Sequence, residues 1–280
     1  MDNMFNSPVE IIKGNMEGAK AKAALPLGKM ILLGMMAGAF IAIGGATSST
    51  AVHDIANVGL ARTLAGVIFP VGLMMIVLCG GELFTGNCLI SMGVMHHEVK
   101  LSQMLRNLIV VYFSNLAGAL IVDALICFSG NLDYTGGALG AYTIKVALGK
   151  ATIDPVKAFV SGILCNILVC MAILMAGAAK DIAGKILAIW FPIFAFVIGG
   201  FEHCVANMFY IPAGVMATAN ENYVAKAQEL YGITAEQIAS LNVAGVIHNL
   251  VPVTLGNIVG GVVFVGMMYY MIHIKEWTKK

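Results

Sequence analysis

Two long apolar runs are each interrupted near their centres by glycine followed by an acid, and no other feature constrains the fold as tightly. The first, Gly66 to Cys79 and then Cys88 to Val94, is split by Gly80-Gly81-Glu82-Leu83-Phe84-Thr85-Gly86-Asn87. The second, Ile186 to Ile198 and then Phe209 to Ala219, is split by Gly199-Gly200-Phe201-Glu202-His203-Cys204-Val205-Ala206-Asn207-Met208. An ionisable group at membrane depth costs roughly 3 kcal/mol on insertion scales and faces protein or a water-filled path. Glycine pairs let a helix break without steric penalty. Non-helical backbone survives there only where protein or a cavity covers it. Two interrupted spans in corresponding halves of a chain point to a transport site.

Charge and composition agree. Of 280 residues 59% are apolar and 11% charged, under half the usual charged share of a soluble domain. The net charge of +1 argues against nucleic acid as a partner. Cys79, Cys88, Cys127, Cys165, Cys170 and Cys204 fall in or beside apolar runs without CxxC spacing, so they read as buried thiols rather than a disulfide or zinc framework. His96-His97 lies on a loop without further ligands. No metal and no cofactor is expected. The lysine-bearing amino terminus lacks the pattern of a cleavable signal.

In order, Ser7-Pro8-Val9-Glu10 opens a helix with a capping box. Val9, Ile12, Met16 and Ala19 make it amphipathic, so residues 1–26 are expected to lie at the membrane face. Residues 27–128 hold three spans: Leu27 to about Thr47, the broken run, and a third that Ser102 is expected to cap. A glycine-rich loop is expected over 129–154. Asp154-Pro155 then starts a second set of three spans over 155–274, the middle one broken, with Thr234-Ala235-Glu236-Gln237 capping a short surface helix between the last two. Residues 275–280 form a tail. One side of the membrane collects Lys13, Lys20, Lys22, Lys29, Lys100, Arg106, Lys180, Lys185, Lys275, Lys279 and Lys280, the other only Arg62, Lys145, Lys150, Lys157 and Lys226. The positive-inside rule then makes both termini cytoplasmic in a plasma (inner) membrane.

The halves echo each other. Asn107-Leu108 is followed by Asn115 and Gly118, and Asn249-Leu250 by Asn257 and Gly260, at the same offsets. With three spans per half the second copy enters from the opposite side, giving an inverted repeat. The fold class expected is an all-α membrane bundle of two inverted three-span repeats.

The stretches Gly81 to Asn87, Gly200 to Met208 and Asn249 to Gly261 together resemble the formate/nitrite transporter family over nearly the whole chain. That resemblance implies an aquaporin-like six-span fold with two broken helices, assembled as a homopentamer with one pore per protomer. It implies that His203 is the central pore histidine and that Leu83 and Phe84 narrow the pore while Thr85 faces His203. It places Leu73 and Phe196, with Phe69 nearby, at a hydrophobic gate on the other side. Lys150 and Asn166 match polar positions toward the outer vestibule, and Asn257 one in the last span. Asn207 lies one helical turn beyond His203 and joins the polar set. Glu82 stands where some formate channels carry aspartate, and Gly-Glu-Leu-Phe-Thr-Gly is also similar to nitrite and hydrosulfide members.

Neutralising a small carboxylate at pH 7 costs about 4.5 kcal/mol, similar to forcing the bare anion through an apolar ring. A histidine is the side chain suited to lend and recover that proton. The reading is a channel for small monovalent weak-acid anions, formate first, with proton exchange at His203 and Lys150 gathering the anion. Glu82 and Glu202, with Gly80, Gly81, Gly199 and Gly200, read as structural parts of the breaks. Asp123 reads as a structural partner or protomer contact. A water or glycerol channel lacks its Asn-Pro-Ala signature here, and an intramembrane enzyme using Glu202 and His203 lacks a nucleophile or metal set.

Overall fold

The computed structural model describes residues 5–276; Lys279 and Lys280 of the charge bias lie outside them. The described chain forms α1 (Pro8–Ala23), α2 (Leu27–Val52), α3 (Val58–Cys79), α4 (Phe84–Met95) and α5 (Leu101–Phe128). There follow α6 (Tyr134–Ala151), α7 (Pro155–Ala178), α8 (Ile182–Gly199), α9 (Cys204–Ala217), α10 (Glu221–Tyr231), α11 (Ala235–Ala239) and α12 (Val243–His273). Among the described residues, α2, α3, α5, α7, α8 and α12 are long and apolar enough to cross a membrane. The shorter apolar helices α4 and α9 resume after the breaks that end α3 and α8, so two crossings are made by pairs of part-helices.

Several starts follow the local chemistry. Glu10 accepts the Ser7 N–H at 2.7 Å and closes the capping box of α1. Asp154 accepts the Lys157 N–H at 3.0 Å at the head of α7, and Thr234 and Gln237 cap α11 reciprocally. The start of α5 departs from expectation. Gln103 Oε1 accepts the Lys100 N–H at 2.9 Å, and Ser102 sits inside the helix rather than capping it. In α1, Ile12 and Met16 are buried in one cluster with Leu89, Met92 and Leu174. Its apolar side therefore packs on the bundle instead of lying on lipid.

The larger correction is residues 129–154, which are not a loop. Helix α6 buries Leu139, Ile144, Ala147 and Leu148 against Ile211, Tyr223 and Ala227. Its glycines mislead because they do other work. Thr135, Gly136 and Gly137 form a left-handed lead-in (φ 55°, 63° and 90°), and Gly140 leaves room for the Tyr223 ring. With α6 in place each repeat has an entry helix: α1 to α5 correspond to α6, α7, α8, α9 and α12. The repeat also shows in helix contacts. A side chain at Gly118 would strike the Met35 backbone, and one at Gly260 the Ile163 backbone, so small residues bring α2 onto α5 and α7 onto α12. The architecture is an all-α bundle of two inverted three-span repeats with two broken helices.

Candidate functional site

Each break is built the same way. Helix α3 ends at Cys79, Gly80 turns left-handed (φ 94°), and α4 starts at Phe84; α8 ends at Gly199, Gly200 turns left-handed (φ 67°), and α9 starts at Cys204. One glycine of each pair takes the positive φ that a side chain would resist. Gly81 and Gly199 do not.

The unpaired backbone of each break is fastened by an asparagine from the last span of its repeat. Asn115 Oδ1 accepts the Phe84 N–H at 2.9 Å, while its amide donates to the Gly34 and Glu82 carbonyls at 2.8 Å each. Asn257 Oδ1 accepts the Cys204 N–H at 2.9 Å, and its amide donates to the Gly162 and Glu202 carbonyls at 2.8 and 3.0 Å. These are the N–H and C=O groups that a broken helix exposes and that must find partners in a water-poor core.

The acids are paired in the same mirrored fashion. Glu82 accepts from Lys22 Nζ and from Asn87 Nδ2, each at 2.6 Å. Glu202 accepts from Lys150 Nζ at 2.9 Å, Asn207 Nδ2 at 2.6 Å and Asn249 Nδ2 at 3.2 Å. Asn87 and Asn207 also donate to Asn107 and Asn249, at 2.8 and 2.7 Å. Asn107 and Asn249 return to the Lys22 and Lys150 carbonyls at 3.1 and 2.9 Å. Both acids thus serve as structural acceptors at the breaks, and Lys150 is an ion-pair partner of Glu202 before it is anything else.

Symmetry fails in the middle. His203 occupies the place that Leu83 has in the other break, and Thr85 the place of Val205. His203 caps α9 with its ring: Nδ1 accepts the Ala206 N–H at 3.1 Å. A backbone N–H only donates, so the neutral ring carries its proton on Nε2. Nε2–H then donates to Thr85 Oγ1 at 2.9 Å, with both residues buried. The Thr85 carbonyl is held from behind by Asn166 Nδ2 at 3.2 Å.

Cavities approach this pair from both faces. On the face that carries α1, a cavity of about 580 Å³ is lined by Lys22, Glu82, Leu73 and Leu83. On the distal face, a cavity of about 160 Å³ reaches His203 past Phe69, Phe196, Tyr210 and Lys150, and it shares Lys150, Tyr142 and Gly200 with a wider mouth of about 650 Å³. Phe69 and Phe196 meet edge-on with ring centroids 5.5 Å apart, and Phe196 lies 5.9 Å from the His203 ring. Four expected placements change. Leu73 lines the same cavity as Leu83, across from Phe196 rather than beside it. Phe84 lines neither cavity and packs edge-on against Tyr112 at 5.0 Å. Asn166 and Asn257 are wholly buried fasteners rather than vestibule or pore groups. Asn207 lines the 160 Å³ cavity, but both its donated bonds go to protein. Asp123 is fully buried within the protomer, and its carboxyl oxygens have no hydrogen-bond partner.

Sequence reasoning missed Lys22, which pairs with Glu82; Ser48 and Tyr210, which line the 160 Å³ cavity; and Arg62, which lines the wider mouth. A signal for Lys22 existed. Lys150 stands 128 residues after Lys22, the spacing that also separates Gly162 from Gly34. The others carry no motif.

A family model described as formate/nitrite transporter matches residues 9–271. The chain belongs to that family. A probable formate transporter of Methanothermobacter thermautotrophicus is 38% identical over 99% of this chain and 100% of its own length. The formate channel FocA of Escherichia coli K12 is 33% identical over 98% of each. Among solved structures, a pentameric formate channel with formate bound is 36% identical with a TM-score of 0.77, covering 89% of this chain and 98% of that one. An FNT family ion channel is 30% identical with a TM-score of 0.79, covering 94% and 98%. This family member is a multi-pass membrane channel, not an enzyme, and the mirrored breaks are the centre of its six-span fold.

Proposed function

We propose that this channel passes small monovalent weak-acid anions, formate foremost, and that His203 exchanges a proton with the permeant at the Thr85 contact. The observation that carries this reading is the buried Thr85–His203 hydrogen bond lying between cavities that open to opposite faces. Apolar side chains flank it on both sides: Leu73 and Leu83 on one, Phe69 and Phe196 on the other. A bare anion loses its hydration there, and a neutral acid does not. An imidazole at that point supplies the proton. Chloride, the anion of a strong acid, gains nothing from it. Nitrite and hydrosulfide, also bases of weak acids, fit the same chemistry as alternatives.

The geometry puts a condition on the exchange. In the neutral ring Nδ1 is occupied by the Ala206 N–H, so His203 takes a second proton only by releasing that cap. Proton exchange is therefore coupled to loosening of the first turn of α9. The same bond favours a second reading, in which His203 stays neutral and only donates from Nε2–H to the passing anion. Internal pH recorded with formate flux in liposomes separates them: co-entry of protons that disappears in His203→Phe supports exchange, and co-entry fully retained in that variant refutes it.

Five copies of this chain around a common axis, both termini cytoplasmic in the plasma membrane, complete the reading. The formate-bound relative of similar fold is pentameric, and α5 offers Leu101, Leu105, Ile109 and Phe113 as exposed apolar surface. Native mass spectrometry reads the assembly; a monomer overturns it.

A further inference from the structure

The distal mouth holds two cations that the mirrored scaffold does not use. Arg62, on α3, donates from Nη1 to the Ile198 carbonyl at 3.1 Å. Ile198 lies in the last turn of α8, where carbonyls lack helix partners, so the guanidinium is pinned by one donor and keeps the rest. Lys145, on α6, holds its ammonium 4.3 Å from the centre of the Tyr231 ring on α10, within cation–π range. Arg62 and Lys145 line the same 650 Å³ mouth as Lys150 and Glu202. Lys150 is neutralised by Glu202 at 2.9 Å. Neither Arg62 nor Lys145 has a carboxylate within salt-bridge distance among the described residues. The acid remaining in the lining is Asp54, which is exposed, and His53 there is tied to Thr50 and Thr135. The mouth on the α1 face differs: Lys22 and Lys185 stand against Glu10 and Glu82.

We propose that the distal mouth is a binding site for a small divalent oxyanion of the sulfate or hydrogen-phosphate type, held between the Arg62 guanidinium and the Lys145 ammonium. A planar guanidinium presents paired donors that match two oxygens of such an ion, and an ammonium adds a point charge. Two fixed cations without a carboxylate partner satisfy two negative charges with little reorganisation. The ion goes no deeper, because the Phe69 and Phe196 rings line the next cavity, where a divalent ion would lose its hydration without compensation, and one proton from His203 would leave it charged. It therefore occupies the mouth and obstructs it. The binding half of this inference stands on the mouth alone; the obstruction half rests on the weak-acid conduit reading above.

The test uses the full chain purified in detergent free of phospholipid, with sodium sulfate titrated at constant ionic strength against sodium chloride. Sulfate is expected to raise the thermal unfolding midpoint saturably. Lys145→Gln, which disturbs only tyrosine contacts, should weaken that dependence roughly tenfold. Arg62→Gln should weaken it similarly, while Asp54→Asn should tighten it. In liposomes with sulfate on both sides, formate flux should slow in the wild type and recover in Lys145→Gln. A wild-type midpoint indifferent to sulfate, or the same dependence in the Arg62→Gln/Lys145→Gln double variant, overturns the site. Sulfate binding that does not slow formate flux overturns the obstruction alone. Absence of formate flux in sulfate-free liposomes counts against the conduit reading and leaves the site standing.

Discussion

The two helix breaks share a frame and differ in what it carries. Glu82 and Glu202, Asn87 and Asn207, Asn115 and Asn257, and Lys22 and Lys150 hold matching bonds within a few tenths of an ångström. Inside that frame one break presents Leu83, Phe84 and Thr85, and the other His203, Cys204 and Val205. The lesson is a separation of labour. The frame solves a problem any broken membrane helix has, the satisfaction of exposed backbone, and so it tolerates little variation in either copy. Between acid and amide the frame leaves the side chains at Leu83, Phe84 and Thr85 and at His203, Cys204 and Val205 free to differ, and there one copy supplies an imidazole, which also caps α9, while the other supplies the hydroxyl that receives its proton.

The largest effects should come from attacking the frame. Asn257→Ala strips three buried bonds from the second break, and Asn115→Ala three from the first; each should cost about 2–4 kcal/mol at the strength measured for hydrogen bonds in membrane proteins and buried polar groups. Loss of folded protein and lowered unfolding midpoints in detergent are the readout. If one variant is tolerated while its counterpart collapses, the two frames are not equivalent.

The next largest effect should come from exchanging the contents. Leu83→His combined with His203→Leu moves the imidazole to its mirror position, where it faces Val205 instead of a hydroxyl. Proton-coupled formate uptake should fall roughly 100-fold or more, the scale of a lost acid–base partner, with assembly retained. Uptake near wild type would mean that the frame alone confers the activity.

A smaller effect isolates the hydroxyl. Thr85→Val makes the first break match Val205 and removes one neutral hydrogen bond, worth about 1 kcal/mol, so a several-fold fall in coupled uptake is expected with little change in stability. An unchanged uptake rate would leave the Thr85–His203 bond without a part in transport.

On anion uptake by folded channels, Lys150→Ala should show the least. It raises the formate half-saturation concentration a few-fold at low salt, and the difference shrinks as ionic strength rises, because the field is screened over about 8 Å at physiological salt. The same substitution strands Glu202, so Lys150→Ala with Glu202→Gln should restore folding without restoring capture. A concentration dependence identical to wild type at low salt removes Lys150 from anion gathering.

Much of the frame was legible in the sequence because its parts are polar residues where apolar ones belong. Glu82 and Glu202 stand out against the runs they interrupt, and Asn107, Asn115, Asn249 and Asn257 repeat at fixed offsets. What escaped was set by packing rather than by type. Leu73 and Phe196 look alike on periodicity, and only the course of α3 and α8 assigns them to different cavities. Helix α6 was hidden by glycines that serve a left-handed turn and an aromatic contact, and without α6 the link between Lys22 and Lys150 had no element to rest on. Asn166 and Asn257 were placed along the pore by the family resemblance alone, and the buried amides prove to be fasteners because an amide both donates and accepts.

The fasteners also set an order of events during synthesis. Asn115 follows Phe84 by 31 residues, whereas Asn257 follows Cys204 by 53, because α10 and α11 lie between α9 and α12. At about 10 residues per second the first break waits roughly 3 s for its asparagine and the second roughly 5 s. Throughout that interval a kinked, partly unpaired segment has left the ribosome with nothing of its own to close it. The second half therefore depends longer on shelter from the insertion machinery or from the finished first half, and slowed translation over residues 205–257 should harm the yield of membrane-inserted protein more than the same delay over residues 85–115.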